Sequence, residues 1–254
     1  MSAGVLIRRL GPFQVLKTGS PLSLRSGGKA EQLLSCLALH PHIGIHRETL
    51  VERIWPETSL GPAIQCLNTL THSLKMQLAD ALGGQPPIVH SESHYALNLD
   101  GGVRVDVLEF ESAIETGHRL HSEGSTGAAI KSYERAVDLY RGDLTPAPDI
   151  SALLERERLR AACLTTLARL ADTHFGVAAY DRALETALRL LAIDPCREDA
   201  HRMVMRSYVR LGARAQALRQ YKLCRIILDG EFAVAPEPAT ERLFRLIRTD
   251  PGQV

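Results

Sequence analysis

The chain has 254 residues, 45% of them hydrophobic and 23% charged, with a formal net charge of +1. That is enough apolar material for one large or two medium cores and too much for a disordered chain. Eight Lys and Arg stand against seven Asp and Glu in residues 1–100, and 22 against 22 in the remainder, so no strongly basic domain advertises a nucleic-acid partner.

The first hundred residues mix strand and helix signals. VLIRRLGPFQVL reads as a strand interrupted near Gly11–Pro12, and PLSL as a short second strand. KAEQLLSCLALH carries Leu33, Leu34, Leu37 and Ala38 at helical spacing, and Pro41 stops it. After a short extended link, IGI, a second helix, HRETLVERIWP, puts Leu50, Val51 and Ile54 on one face. A third, SLGPAIQCLNTLTHSLKMQLADALGG, has an apolar stripe of Ile64, Leu67, Leu74 and Leu78, with Thr71 at a stripe position and Gly83–Gly84 as the stop. PPIVHSESHYALNL then predicts a hairpin, with strands at 88–90 and 95–99 around a polar turn at Ser91–Ser93.

From Asp106 the period-2 alternation is lost. Segments 106–124, 125–140, 150–175, 179–193, 197–212, 213–228 and 237–249 each carry helical amphipathicity, and the Pro-rich LTPAPDI reads as a loop. Ala183–Leu184 and Ala217–Leu218 lie 34 residues apart, and at the same offset Phe175 matches Val209 and Val177 matches Leu211, whereas Leu191 meets Arg225. That period, with small residues at Ala178, Ala183 and Ala187 for close helix approach, is the signature of tetratricopeptide-like (TPR-like) repeats. The expected fold is mostly α: a winged helix-turn-helix of α+β type in residues 1–102, then an all-α TPR-like domain in 103–254.

No phosphate-binding loop, dinucleotide fingerprint, nucleophile elbow or H-E-x-x-H pattern occurs, so no catalytic residues and no cofactor are expected. His40, His42 and His46 have no Cys or carboxylate at ligand spacing, and no metal is expected there. The five cysteines are widely spaced and odd in number, which reads as buried reduced thiols in a cytosolic protein. Neither a leader nor a membrane span is legible, so the expectation is a cytoplasmic protein with no membrane partner. ERERLR, residues 155–160, alternates charge as a salt-bridged exposed helix face does.

The order of elements resembles the regulators named for antibiotic control in Streptomyces, in which a winged helix precedes a bacterial transcriptional activator domain. The likeness spans nearly the whole chain: RLGPFQV, ETLVERIWPE, VDVLEFE, SYERAVDLYRGDL, LLERERLR and AQALRQYKLCRIILDGEFAVAPEPATERLFRLI. It implies a transcriptional activator that binds double-stranded DNA at promoter repeats as a homodimer and contacts RNA polymerase. The third helix would enter the major groove, which is wide enough for it and carries a full base code. Gln65, Asn68, Thr69, His72, Ser73 and Lys75 lie off its apolar stripe and are the candidate DNA-facing residues. Lys29, Arg47 and the hairpin-tip His94 are candidates beside them, and Arg25 and Arg53 are further cations of the same region. Relatives carry a V-x-x-L-R-R-like pattern on this helix, where this chain has THSLKM, and Lys75 is the only Lys or Arg between Ser59 and Leu82. The wing has His94–Tyr95–Ala96 in place of Gly-Tyr-Arg. The alternative is therefore a non-enzymatic interaction scaffold with a degenerate winged helix, whose repeat surface binds a protein or peptide.

Overall fold

The computed structural model describes residues 4–144 and 150–254. The expected loop at 144–150 falls almost wholly outside them. The chain divides into two compact units, Met1–Ser112 with Leu139–Arg156, and Ala113–Asp138 with Glu157–Val254.

The first unit opens with β1 (Val5–Arg8), which buries Val5 and Ile7 and half-exposes the alternate Leu6 and Arg8, as a strand with one covered face must. It pairs antiparallel with β2 (Gln14–Lys17), with Ile7 opposite Val15, and the short β3 (Ser20–Pro21) continues this sheet. The fourth strand, β7 (Val103–Val105), runs parallel to β1 and lies outside the strands the sequence predicts. Three residues are too few for alternation to register, and what fixes them is the pairing of Val103 and Val105 with Val5 and Ile7.

The three helices then follow. Helix α1 (Lys29–Leu39) buries Leu33, Leu34, Leu37 and Ala38, and α2 (Arg47–Ile54) buries Leu50, Val51 and Ile54. Each fully buried leucine here contributes about 1.5–3 kcal/mol of transfer free energy. Helix α3 (Leu60–Leu78) tolerates Pro62 because its first turn has no use for that N–H. Its buried stripe is Ala63, Leu67, Leu74 and Leu78; Ile64 is only half-buried, since a helix four residues before Leu67 turns Ala63 further inward. A 3-10 turn, Ala79–Leu82, ends on Gly83 at φ 61°, and Lys17 reaches across to the Gln77 carbonyl (2.8 Å) and Asp80 (2.8 Å).

The second sheet has β6 (His94–Leu97) between β4 (Ile45–His46) and β5 (Ile88–Ser91). Ser91 faces His94 across the hairpin, so the turn is the two residues Glu92–Ser93, one shorter than the sequence suggests, with Glu92 left-handed at φ 54°.

Beyond β7 no strand occurs among the described residues, only an isolated bridge between Leu144 and the Leu10–Gly11 corner. The seven helical segments appear as α4 (Asp106–Ser122), α5 (Thr126–Leu139), α6 (Ile150–Gly176), α7 (Tyr180–Ile193), α8 (Glu198–Arg210), α9 (Arg214–Phe232) and α10 (Pro238–Thr249). Helices α7 and α9 begin 34 residues apart, as the repeat predicts. Ala183, Ala187 and Ala217 are fully buried. Ala178, by contrast, is exposed at φ 60°, closing the end of α6 rather than a helix contact. Arginines close helix ends across the second unit: Arg160 on the Ile193 carbonyl (3.0 Å), Arg189 on Val137 (2.7 Å), and Arg214 on Ile247 (3.0 Å) and Arg248 (2.7 Å).

Ala217 sits among Met205, Tyr221, Leu243 and Ile247. Ala217→Leu is expected to overpack this cluster and lower stability by about 1–3 kcal/mol in urea unfolding; an unchanged midpoint would remove the packing argument for the repeat.

Three histidines of the second unit, His118, His174 and His201, are held below the ordinary imidazole value of 6.5, chiefly by burial. His201 has both ring nitrogens engaged, one on the Pro195 carbonyl (2.9 Å) and the other receiving the Gln220 amide (2.7 Å), so a second proton has no acceptor. The unfolded chain takes up these protons first as pH drops below 6.5. The stability they confer is complete above that value and is lost as pH falls through their lower folded values. The urea midpoint is expected to be lower at pH 5.5 than at pH 7.5, and His201→Gln to shrink the difference; equal midpoints would contradict the assignment. Burial raises the Asp172 carboxyl and so acts in the opposite sense, which is why the variant comparison is needed.

A candidate nucleic-acid interface

Helix α3 buries one stripe and leaves the rest of its surface open. Gln65, Asn68, Thr69, His72, Ser73 and Lys75 are all exposed, and they cover about three turns of one helix. Cys66 is exposed on the same helix, which corrects the expectation that the thiols are buried; Cys163 and Cys224 are the two that are. All five are free.

The hairpin β5–β6 flanks α3, and the two are joined through a side chain: the Tyr95 hydroxyl donates to Asn68 Oδ1 (3.2 Å). His90 stacks on Tyr95, with ring centroids 5.5 Å apart and planes 23° apart. Between helix and hairpin runs a groove of about 420 Å³, lined by Asn68, Thr71, His72 and Lys75 from α3 and by Pro86, Ile88, Val89, His90 and Tyr95. Thr71, the misfit in the apolar stripe, is half-buried at this groove and bonds the Asn68 carbonyl (3.0 Å). Tyr95 and His90 are the residues that sequence reasoning missed; the pairing that sets them opposite each other, His90 across from Tyr95, follows only once the turn length is known.

The remaining candidates are disposed differently. His94 is exposed beside the turn, edge-on to His46 at 5.3 Å. His46 caps α2 by accepting from the Glu48 N–H (3.4 Å). The Arg47 N–H bonds the Ser93 carbonyl (2.7 Å), tying the start of α2 to the wing turn, and its Nε is enclosed without a hydrogen-bond partner. The ammonium of Lys29 donates to the Ile54 carbonyl, closing the end of α2, and lies 5.8 Å from the Trp55 ring centroid. Lys29 thus has a structural engagement already, whereas Lys75 is exposed. Among the described residues no group of three or more His, Cys, Asp or Glu is placed to hold a metal, and no helix is long and apolar enough to cross a membrane.

Residues 105–248 match the bacterial transcriptional activator domain family. Over 97% of its length the chain is 26% identical to Regulatory protein DnrI of Streptomyces peucetius, covering 93% of that protein. It is 24% identical to Transcriptional regulatory protein MoaR1 of Mycobacterium tuberculosis, over 94% of this chain and 77% of the other. Among solved structures, Mycobacterium tuberculosis EmbR, in a complex with a low affinity phosphopeptide, superposes with a TM-score of 0.72 at 18% identity over 96% of this chain. The chain spans 65% of the EmbR chain, so the likeness there is one of fold. The chain belongs to the bacterial transcriptional activator domain family and has the winged-helix and helical-repeat architecture of the Streptomyces antibiotic regulatory proteins.

Proposed function

We propose that the protein is a cytoplasmic DNA-binding transcriptional activator. Residues 1–102 bind promoter repeats as a homodimer, with α3 in the major groove and the β5–β6 turn against the backbone or minor groove. Residues 103–254 carry the contact with RNA polymerase. The observation that carries this reading is the wholly exposed polar face of α3, Gln65 to Lys75, beside an exposed hairpin tip. Asn68 keeps its amide NH₂ available while Oδ1 accepts from Tyr95, and that oxygen has a second lone pair, so a bidentate pair with adenine N6 and N7 remains open to it.

A salt titration tests this directly. Lys75→Ala is expected to weaken binding to all duplexes and to reduce the salt slope by about one unit, because one phosphate contact is lost. Asn68→Ala is expected to lower affinity by about 1–3 kcal/mol at one base position, with the slope unchanged. No salt-dependent binding of the wild-type protein to any promoter fragment at low ionic strength, with or without RNA polymerase, would end this reading.

The second reading, an interaction scaffold with a degenerate winged helix, is favoured by one observation. Lys75 is the only cation on α3, Lys29 is engaged at α2, and Arg47 has its Nε enclosed, so few cations remain for phosphates.

A further inference from the structure

We propose that a cavity lined by α5, α6 and α7 is a binding site for a primary alkylammonium group, carried by a small amine or by a lysine side chain. The cavity has a volume of about 290 Å³, room for a short alkyl chain and its charged head. Every residue that lines it belongs to the second unit.

The side chain that points to a ligand is His174 of α6. It is 7% exposed, it lines the cavity, and neither ring nitrogen has a hydrogen-bond partner among the described residues. Glu134 Oε1, from α5, stands 3.8 Å from its Nε2, too far for a hydrogen bond. Burial, aided by Arg182 and opposed by Glu134 and Glu185, holds the imidazole below its ordinary value of 6.5. At neutral pH one ring nitrogen therefore carries a lone pair. Glu134 is 41% exposed and has no other ion-pair partner among the described residues. On α7 the Thr186 hydroxyl donates to the Arg182 carbonyl (2.8 Å), which leaves its oxygen able to accept. A carboxylate, an imidazole nitrogen and a hydroxyl oxygen thus line one cavity with acceptor capacity unspent. An alkylammonium has three N–H groups to donate.

The balance of charge selects the sign of the ligand. Three carboxylates, Glu134, Asp138 and Glu185, stand against two guanidinium groups, Arg182 and Arg189, around the cavity. One negative charge is left over, and one ammonium neutralises it. Both guanidinium groups are already engaged. Arg189 donates to the Val137 carbonyl (2.7 Å) and lies 3.5 Å from Asp138, and Arg182 pairs with Glu185 (3.1 Å). An anion would have to displace those carboxylates, whereas a cation reaches Glu134 without breaking an ion pair. Val137, Leu167 and Leu170 supply the apolar part of the lining. They favour a cation with an alkyl stem over a bare metal ion, and by excluding water they strengthen its pairing with Glu134.

The test titrates the full chain with n-butylammonium chloride at neutral pH and reads the imidazole ¹H–¹⁵N spectrum, with sodium chloride at matched ionic strength as reference and no DNA present. His174→Gln identifies the His174 cross-peaks. Butylammonium is expected to shift them saturably, and sodium chloride to leave them in place. Glu134→Gln is expected to weaken the binding by about tenfold or more, because a charged acceptor is lost. Arg182→Gln is expected to strengthen it by about threefold, because an opposing positive charge is removed. A merely structural role for the two residues would not move the two constants in opposite directions. Far-UV circular dichroism confirms the fold of each variant, and Arg182→Gln decides alone if Glu134→Gln does not fold. Nα-acetyl-lysine methylamide forms the second arm. A shift like that of butylammonium assigns the site to a lysine side chain as well as a free amine, and no shift assigns it to the free amine. The proposal is overturned if butylammonium leaves the His174 cross-peaks unmoved, if sodium chloride moves them equally, or if sodium acetate moves them instead. It is overturned equally if the folded Glu134→Gln or Arg182→Gln variant binds butylammonium as the wild type does.

Discussion

Asp106→Ala is expected to destabilise the first unit by about 3–5 kcal/mol, because two backbone donors lose their acceptor where water does not reach. The Asp106 carboxylate accepts from the Arg9 N–H (2.7 Å) and the Leu10 N–H (3.0 Å), and Arg141 lies 3.5 Å away. Its side chain is 2% exposed. Burial raises its carboxyl above the ordinary carboxylate value, opposed by those two backbone donors and by the Arg141 charge. It sits at the first position of α4, so the same group serves that helix start and the β1 corner. Asp106→Asn keeps one acceptor and turns an NH₂ toward the other donor, so an intermediate loss is expected. Trp55 is the chain's single tryptophan and lies in the first unit, so its fluorescence reports this unfolding separately. A fluorescence midpoint within error of wild type for Asp106→Ala would refute the role assigned to the carboxylate.

Gly117→Val should have the second large effect, on the other unit. A Cβ at Gly117 would stand 2.5 Å from Tyr133 Cε1 and 2.6 Å from Cδ1, well inside contact distance. Tyr133 is completely buried in α5, so its ring has no free space to move into. Overpacking of this kind destabilises by about 1–3 kcal/mol, and a branched side chain against a buried ring belongs at the upper end. Gly117→Ala sharpens the test, because in a helix interior alanine is ordinarily favoured over glycine by about 1 kcal/mol. Here the sign is expected to reverse. Tyr133→Leu should relieve the clash, so the double variant Gly117→Ala/Tyr133→Leu should lose less than the sum of its parts. The far-UV midpoint, dominated by the helices, is the readout. Stabilisation by Gly117→Ala would show that α4 and α5 do not approach as closely as described.

The amphipathic elements were legible in the sequence because their physics is local. Leu33, Leu34 and Leu37 of α1, and Leu50, Val51 and Ile54 of α2, recur at helical spacing, and burial follows spacing wherever one helix face meets a core. The 34-residue repeat placed Ala183 and Ala217 in closed helix contacts for the same reason: equivalent positions of stacked units meet the same neighbour. The exposed face of α3 is the complement of its stripe, so the candidate DNA-facing residues could be named from sequence. What sequence could not supply depends on pairing partners distant in the chain. The three residues of β7 carry no period, and only Val5 and Ile7, about a hundred residues earlier, make them a strand. Lys29 reads as a free cation until folding brings the Ile54 carbonyl to its ammonium. Asp106 reads as an ordinary helix-start acid until Arg9 and Leu10 turn their N–H groups toward it. The α3–hairpin groove exists because a two-residue turn sets His90 opposite Tyr95 and a hydrogen bond ties Tyr95 to Asn68. Periodicity determines which face of an element is buried, but the partner that covers it, and the polar groups that meet there, are decided by tertiary packing alone.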